Sequence, residues 1–250
     1  MNVNSTTLFA LTSIVGDDRN FKCFREQFLD LMTCLPVEFP DVYSNTDHLT
    51  DITVITNRAV ERILMHQPNG PIFIMGYSFG GCVALEVART LKRKGREIGF
   101  LMILDAPNPW MKFDLHRTTS FNSLHLRSIR RQIFIDLVTM PLLTRLIRAT
   151  LLKIIGAFFP GKLTRYERVI AKMLRERARC HTWNPTPTEL SGLLVYSTQF
   201  EVSTKEFWRT TCPRMVTLKI ESGHVAMLHP DHTERLIDIA RSCISTKILA

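Results

Sequence analysis

The chain has 250 residues, of which 45% are hydrophobic and 22% are charged, and its formal net charge is +9. This composition is ordinary for a globular protein and argues against a disordered chain, and the length suits one α/β domain with a sizeable core, or a smaller core plus an insertion. The most hydrophobic later stretch, residues 137–159, is interrupted by Arg145, Arg148 and Lys153, so no transmembrane segment is predicted. The amino terminus lacks the basic region of a signal peptide.

Short apolar runs predict five strands, separated by helical or polar stretches. The first strand is expected at residues 7–15, and an amphipathic helix at residues 49–66 precedes the second strand, at 72–75. Another helix begins near residue 79, and the remaining strands are expected at 100–104, 193–196 and 215–220, with a closing helix at 230–245. This alternation predicts an α/β fold with a mainly parallel, doubly wound sheet.

The pattern changes between residues 110 and 190, where long, basic, helix-prone segments are broken at Pro141 and at Pro160 and Gly161. This stretch contains fifteen Lys and Arg against five Asp and Glu, so its net charge of +10 accounts for the whole excess of the chain. We interpret residues 110–190 as a helical lid inserted between two core strands of a single domain, residues 1–250.

A serine lies between an apolar run and a helical pattern, in the hexapeptide Gly76-Tyr77-Ser78-Phe79-Gly80-Gly81. The glycines two residues to either side of Ser78, Gly76 and Gly80, remove Cβ atoms that would collide in a sharp strand-to-helix turn. With a strand before it and a helix after it, this G-x-S-x-G match predicts a nucleophile elbow, with Ser78 as the catalytic nucleophile.

A serine hydroxyl is a weak nucleophile, so it requires a base, and the base requires an orienting acid. The run 100–104 ends in Asp105, where a strand leaves the carboxyl edge of the sheet, and strand 215–220 leads into a loop that carries His224. The order Ser78, Asp105, His224 is that of the α/β-hydrolase template. Glu201, after the strand at 193–196, is the alternative acid.

Two further histidines are alternatives for the base. His229 and His232 flank Pro230 and Asp231, where the closing helix is expected to start, so helix capping or solvent exposure explains them better. Their spacing matches no strong zinc motif, and neither a metal nor another cofactor is expected. The oxyanion of acyl transfer requires backbone N–H donors, for which we expect Phe79 and, from the loop after the first strand, Ile14.

The six cysteines are scattered without metal-ligand or paired spacing. Reduced thiols in a cytoplasmic protein are therefore expected.

With these residues in place, the chain resembles the thioesterase domains of nonribosomal peptide synthetases and polyketide synthases. The most specific block is GYSFGGCVALEVARTLKRKGREIGFLMILDAP, and Trp208 shortly before LKIESGHVAML adds to the likeness. The resemblance implies Ser78 as nucleophile, Asp105 as acid, His224 as base and, by position, Ile14 as oxyanion donor. Many members have a His-Pro-x-Gly-Gly type loop after the first strand, whereas this chain has Thr12-Ser13-Ile14-Val15-Gly16.

The resemblance also implies the substrate and the partner. It predicts release, by hydrolysis or cyclisation, of an acyl or peptidyl chain from the phosphopantetheine arm of an acidic acyl or peptidyl carrier protein. The basic residues 110–190 would complement such a partner. A nucleic-acid partner is not expected, because the Lys and Arg residues of this stretch lie among Leu and Ile, without aromatic residues on which bases could stack. The alternatives are an ester or lipid hydrolase at an anionic membrane, and a non-catalytic docking module.

Overall fold

The computed structural model describes residues 6–13, 19–37, 52–106, 108, 183–198 and 201–248. In chain order, the described strands and helices are β1 (Thr7–Leu11), α1 (Arg19–Glu26), β2 (Thr33–Val37), α2 (Ile52–His66), β3 (Ile72–Tyr77), α3 (Phe79–Arg93), β4 (Ile98–Leu104), β5 (Gly192–Ser197), α4 (Glu201–Thr211), β6 (Met215–Ile220) and α5 (Pro230–Ile248). A 3-10 helix at Ala226–Leu228 precedes α5.

The strands form one sheet in the order β2-β1-β3-β4-β5-β6, and every neighbouring pair is parallel. The α/β class with a doubly wound parallel sheet, predicted from the sequence, is confirmed. The order reverses at β1, because the chain first adds β2 on one side of β1 and then β3 and the later strands on the other side.

Helices cover both faces of the sheet. Buried side chains of α1 and α5 pack on one face, and those of α2, α3 and α4 pack on the other. Strands β3 and β4 are buried along almost their whole length, as expected for central strands of a parallel sheet with helices on both faces. Large, fully buried side chains on the two faces include Phe21, Phe24, Phe28, Ile63 and Trp208.

The described sheet differs from the predicted strands in two places. Strand β2 was not predicted, because its sequence TCLPV is short and contains Pro36, which is tolerated here since β2 is an edge strand. Strand β1 was predicted to run to residue 15, but it ends at Leu11, because its pairing with β3 ends at Gly76, where β3 approaches the turn into α3. The last two residues of the predicted strand, 14 and 15, lie outside the described residues. The other four predicted strands are present, with ends that differ by no more than two residues from those expected.

A parallel sheet gathers the ends of its strands at one edge. Ser78 follows β3, Asp105 follows β4, Ser197 is the last residue of β5, and His224 lies in the loop after β6. Four chemically useful side chains, far apart in sequence, therefore lie at the carboxyl edge of adjacent strands, which is where α/β sheets bind their ligands.

Most of the proposed lid, residues 110–190, lies outside the described residues. Its last part, residues 183–190, is described as non-regular chain that leads towards β5, with Trp183 and Leu190 buried. Within the described ranges, no helix has the length and apolar character needed to cross a bilayer.

Two buried thiols differ chemically from two exposed ones. Burial raises the pKa of Cys34 and of Cys212 from 9.0 to about 12, whereas Cys23 and Cys243 are exposed. We predict that iodoacetamide at pH 8 alkylates Cys23 and Cys243 in the native protein, and alkylates Cys34 and Cys212 at least about 100-fold more slowly, because the thiolate is the reactive form. Peptide-resolved mass spectrometry measures each rate, and equal rates at all four thiols without denaturant would contradict the packing described here.

Candidate functional site

Ser78 lies in the turn between β3 and α3, with an unusual backbone conformation of φ 56° and ψ −126°. Its N–H donates to the Leu104 carbonyl at 2.8 Å, and its own carbonyl accepts from the Gly81 N–H at 2.9 Å. Such a conformation is costly for a residue with a side chain and persists only where its surroundings hold it in place. The turn therefore has the geometry expected of a nucleophile elbow.

The two elbow glycines are required by packing. A Cβ on Gly76 would lie 2.2 Å from the Gly80 carbonyl oxygen, and a Cβ on Gly80 would lie 2.4 Å from the carbonyl oxygens of Leu11 and Thr12. Only the absence of side chains lets β3, α3 and the end of β1 approach so closely.

The close packing at Gly80 predicts that a larger side chain there lowers the stability of the fold. We expect Gly80→Ala to lower the free energy of unfolding by at least about 2 kcal/mol, because the new Cβ meets backbone that has little room to move. Gly95→Ala is the matched control: Gly95 has a positive φ of 78°, but its Cβ would meet nothing within 4 Å. It should cost only about 1 kcal/mol. Urea unfolding of both variants measures the difference, and equal losses would contradict the tight contact at Gly80.

His224 connects Ser78 to Asp105. Its Nε2 lies 3.0 Å from Ser78 Oγ and its Nδ1 lies 2.7 Å from Asp105 Oδ2. A carboxylate only accepts hydrogen bonds, which places the ring proton on Nδ1 and leaves Nε2 to accept from the Ser78 hydroxyl. The His224 side chain is 20% exposed whereas that of Asp105 is fully buried, so the path runs from the interior towards the surface.

Asp105 is held from several directions. Its N–H donates to the Val195 carbonyl at 2.7 Å. Ser197 donates to both carboxyl oxygens of Asp105, through its N–H to Oδ1 at 2.7 Å and through its hydroxyl to Oδ2 at 2.7 Å. A buried carboxylate requires such donors to offset its lost hydration. The Asp105 carboxyl therefore accepts three hydrogen bonds, of which one comes from His224.

The backbone strain of the described chain coincides with this site. Among the described residues other than glycine, Ser78 and Asp105 alone have a positive φ, 56° and 44°. Strained backbone of this kind clusters at functional sites, where the surrounding structure fixes the position of a reactive group. The two residues with a strained backbone are therefore the two that hydrogen bonds connect through His224.

Three residues support the site although no role at the site was predicted for them from the sequence. Ser197 binds the acid, Tyr77 donates from its hydroxyl to the His224 carbonyl at 2.8 Å, and the Trp208 indole donates to the Ala106 carbonyl at 2.7 Å. Trp208 had been noted only as part of the resemblance. A polar residue at the end of β5, next to the strand that carries Asp105, is the signal that would have indicated Ser197.

The alternative residues take other positions. His229 is exposed and pairs with Asp231 at 3.1 Å, directly before α5, and His232 is exposed on that helix. Glu201 is the first residue of α4, and its side chain lies outside the description. The described contacts of the His224 ring to a carboxylate are therefore to Asp105.

Of the two residues expected to donate to the oxyanion, one is among the described residues and the other is not. Phe79 is the first residue of α3, so its N–H lies at the positive end of the helix dipole, directly after Ser78. Ile14 lies outside the described residues. The carbonyl oxygens of Leu11 and Thr12 adjoin Gly80, which brings the end of β1 against the elbow.

The chemistry open to this site is proton transfer coupled to nucleophilic attack. Within the described ranges no group of three or more His, Cys, Asp or Glu side chains is arranged to hold a metal ion. The serine, imidazole and carboxylate, joined in line, match the arrangement by which a serine is activated for acyl transfer.

Comparison with known proteins gives three informative similarities. Enterobactin synthase component F of Escherichia coli O157:H7 is 26% identical over 106 residues, which are 42% of this chain and 8% of that protein. A covalent complex of the NocB thioesterase domain with a fluorophosphonate nocardicin G analog has a TM-score of 0.62 at 18% identity and covers 99% of this chain and 96% of that one. Holo-AB3403, a four-domain nonribosomal peptide synthetase, has a TM-score of 0.64 at 16% identity and covers 98% of this chain and 19% of that one.

At these identities the solved structures show the shared fold, and the chain spans only a small part of the two synthases. The profile of the Thioesterase domain family matches residues 6–243, which is nearly the whole chain. The chain therefore belongs to the thioesterase domain family.

Proposed function

We propose that this protein is a serine thioesterase that releases an acyl or peptidyl chain from the phosphopantetheine arm of a carrier protein. The observation that carries the proposal is the hydrogen-bonded path from Asp105 through His224 to Ser78, in a chain of the thioesterase domain family. Acyl-thioester hydrolysis needs no cofactor, because the three side chains supply the nucleophile, the base and the charge that orients the base.

In the first half of the reaction, Ser78 Oγ attacks the thioester carbonyl carbon while His224 Nε2 accepts the hydroxyl proton. Asp105 keeps Nδ1 oriented and stabilises the imidazolium without accepting its proton. The tetrahedral intermediate then collapses, the C–S bond breaks, and His224 returns the proton to the departing pantetheine thiol. An acyl ester on Ser78 remains.

In the second half, His224 takes a proton from water, or from a nucleophile within the acyl chain, as that group attacks the ester. Collapse of the second intermediate returns the proton to Ser78 Oγ and releases an acid or a cyclic product. In both halves the negative oxygen is held by backbone N–H groups. We assign these donors to Phe79 and Ile14; the position of Phe79 at the start of α3 supports the first.

A carrier protein as partner is supported by the relatives. Enterobactin synthase component F and the four-domain nonribosomal peptide synthetase are both much longer than this chain. We propose that this chain likewise works with such an assembly and receives its substrate from a carrier protein. The five described cysteines are free thiols, which fits the reducing cytoplasm that we propose as the compartment.

We further propose that residues 110–190 form an inserted helical lid and that this stretch contacts the carrier. In the chain, this stretch lies between β4, which Asp105 follows, and β5. Its net charge of +10 favours an acidic partner and should accelerate encounter at low ionic strength.

The test compares three substrates with the same acyl group: acyl-carrier thioester, acyl-pantetheine thioester and the matching oxygen ester. We expect turnover of both thioesters by the wild type, with kcat/KM falling steeply between 50 and 500 mM salt for the carrier-bound substrate alone. Turnover of the oxygen ester with neither thioester, together with co-sedimentation on anionic vesicles, would overturn the proposal in favour of a lipid hydrolase. Equal salt dependence for free and carrier-bound thioesters would overturn the charge argument.

A further inference from the structure

Two ring stacks that share Tyr77 adjoin the proposed site. The Phe21 and Tyr77 rings lie 5.7 Å apart at an interplanar angle of 20°, and the Tyr77 and His224 rings lie 5.0 Å apart at 19°. Phe21 is fully buried and Tyr77 is 4% exposed. The two stacks therefore join helix α1, the last residue of β3 and the loop that carries His224.

Tyr77 holds His224 in a second way, through its backbone. The Tyr77 hydroxyl donates to the His224 carbonyl at 2.8 Å. One side chain therefore fixes both the main chain of the loop and the plane of the imidazole. Because Tyr77 directly precedes Ser78, the residue that orients the imidazole and the residue that the imidazole contacts share one stretch of backbone.

The orientation of the imidazole plane decides whether its two hydrogen bonds form together. Nδ1 reaches Asp105 at 2.7 Å and Nε2 reaches Ser78 at 3.0 Å. Both nitrogens direct their hydrogen bonds within the plane of the ring, so tilting the ring away from its present orientation weakens both hydrogen bonds at once. A flat, buried ring packed parallel to the imidazole opposes such a tilt.

We propose that Tyr77 is a positioning residue for His224, with Phe21 as the buried support behind it. The inference rests on the proposed function, since it assigns His224 the role of base. The Tyr77 ring keeps the imidazole in line between Asp105 and Ser78, and its π face stabilises the imidazolium that forms when Ser78 loses its proton. Groups that contact the imidazole include the Asp105 carboxylate, the Ser78 hydroxyl and the Tyr77 ring.

Tyr77 also fills space in the core, so the test must separate filling from positioning. Tyr77→Leu keeps a buried apolar side chain but removes both the ring and the hydroxyl, whereas Tyr77→Phe keeps the ring and removes only the hydroxyl. Phe21→Leu removes the support, and Phe24→Leu is its matched control, because Phe24 is an equally buried ring of α1 that contacts the Phe28 ring.

The rate of Ser78 phosphonylation by a fluorophosphonate probe is measured against pH, and thermal melting is recorded for each variant. This reaction requires an activated serine but no thioester. We expect Tyr77→Leu to slow labelling about 100-fold and to move its inflection to lower pH, since the imidazolium loses the π face. In Tyr77→Phe the labelling rate should fall at most about tenfold, and the inflection of its pH profile should not move. Phe21→Leu should be labelled more slowly than Phe24→Leu when the two variants have equal melting temperatures.

Wild-type rate and inflection in Tyr77→Leu would overturn the proposal. Equal losses in the Leu and Phe variants would overturn the role of the ring, because they would assign the whole effect to the hydroxyl. NMR titration of the His224 ring, with the low-field Nδ1 proton as a marker of its bond to Asp105, gives a readout that needs no reaction. If the wild type is not labelled, the proposed function fails, and an unchanged His224 titration and Nδ1 signal in Tyr77→Leu would then overturn the positioning role by itself.

Discussion

Replacing Ser78 by alanine is expected to reduce kcat for thioester hydrolysis about a millionfold, because the acyl-enzyme cannot form without the hydroxyl. Losses of this size accompany removal of a serine nucleophile in other hydrolases, in which the remaining rate comes from the oxyanion donors and substrate binding. Alanine retains the Cβ, and the backbone bonds of residue 78 to Leu104 and Gly81 do not involve the side chain. The melting temperature should therefore change little.

Ser242→Ala is the matched control, because Ser242 is exposed on α5. It should keep full activity and full labelling by a fluorophosphonate. Activity retained by Ser78→Ala, or probe attachment at a peptide that lacks Ser78 in the wild type, would show that another group performs the chemistry. A wild-type protein that is neither active nor labelled would show that it binds a partner without catalysis.

Asp105→Asn is expected to reduce the rate of acylation about ten-thousandfold, with the overall fold retained, by analogy with other triad aspartates. The carboxylate accepts from the Ser197 N–H, from the Ser197 hydroxyl and from His224 Nδ1. An asparagine amide accepts at one end and donates at the other. If its oxygen faces the Ser197 N–H, its NH2 faces His224 and forces the ring proton onto Nε2, so the imidazole can no longer accept from Ser78.

Glu201→Gln is the control for this assignment, since Glu201 is the alternative acid suggested by the sequence. Its rate should stay within about twofold of the wild type, as expected for a carboxylate outside the reacting path. Single-turnover mixing with an acyl-pantetheine thioester measures acylation in both variants. An inactive Glu201→Gln enzyme alongside an unaffected Asp105→Asn enzyme would reverse the choice of acid.

The sheet was largely predictable because its strands are apolar runs bounded by turn residues. Strands β3 and β4 are buried on both faces, so their sequences IFIMGY and IGFLMIL are distinctive. Strand β2 lacks that signal, since Pro36 lies within it and only its pairing with β1 makes it a strand. Tertiary pairing of this kind leaves no local pattern in the sequence.

The residues that the structure brings together at the site were predictable for a related reason. Ser78 and Asp105 each follow an apolar strand, and parallel strands end at one edge of the sheet. Ser197, by contrast, reads as the last residue of an ordinary strand. Its double contact to Asp105 joins residues 92 positions apart, and it occurs where Asp105 has an unusual φ of 44° that the sequence does not indicate.

The role proposed for Tyr77 could not be predicted from the sequence either. The second position of a G-x-S-x-G motif accepts many side chains, so the motif assigns it no role. Its contacts to Phe21 and to His224 join positions 56 and 147 residues away along the chain. Only the folded arrangement brings the three rings together.

If the proposed function is right, Ser78 carries the acyl group during turnover. The most direct test is intact-protein mass spectrometry of the wild type, quenched within milliseconds of mixing with a panel of acyl-carrier thioesters, followed by peptide mapping. We expect a mass increase equal to the acyl group, on the peptide that contains Ser78, and no increase in Ser78→Ala. Thioester turnover with no acylated protein at any time point, or acylation of another residue, would contradict it.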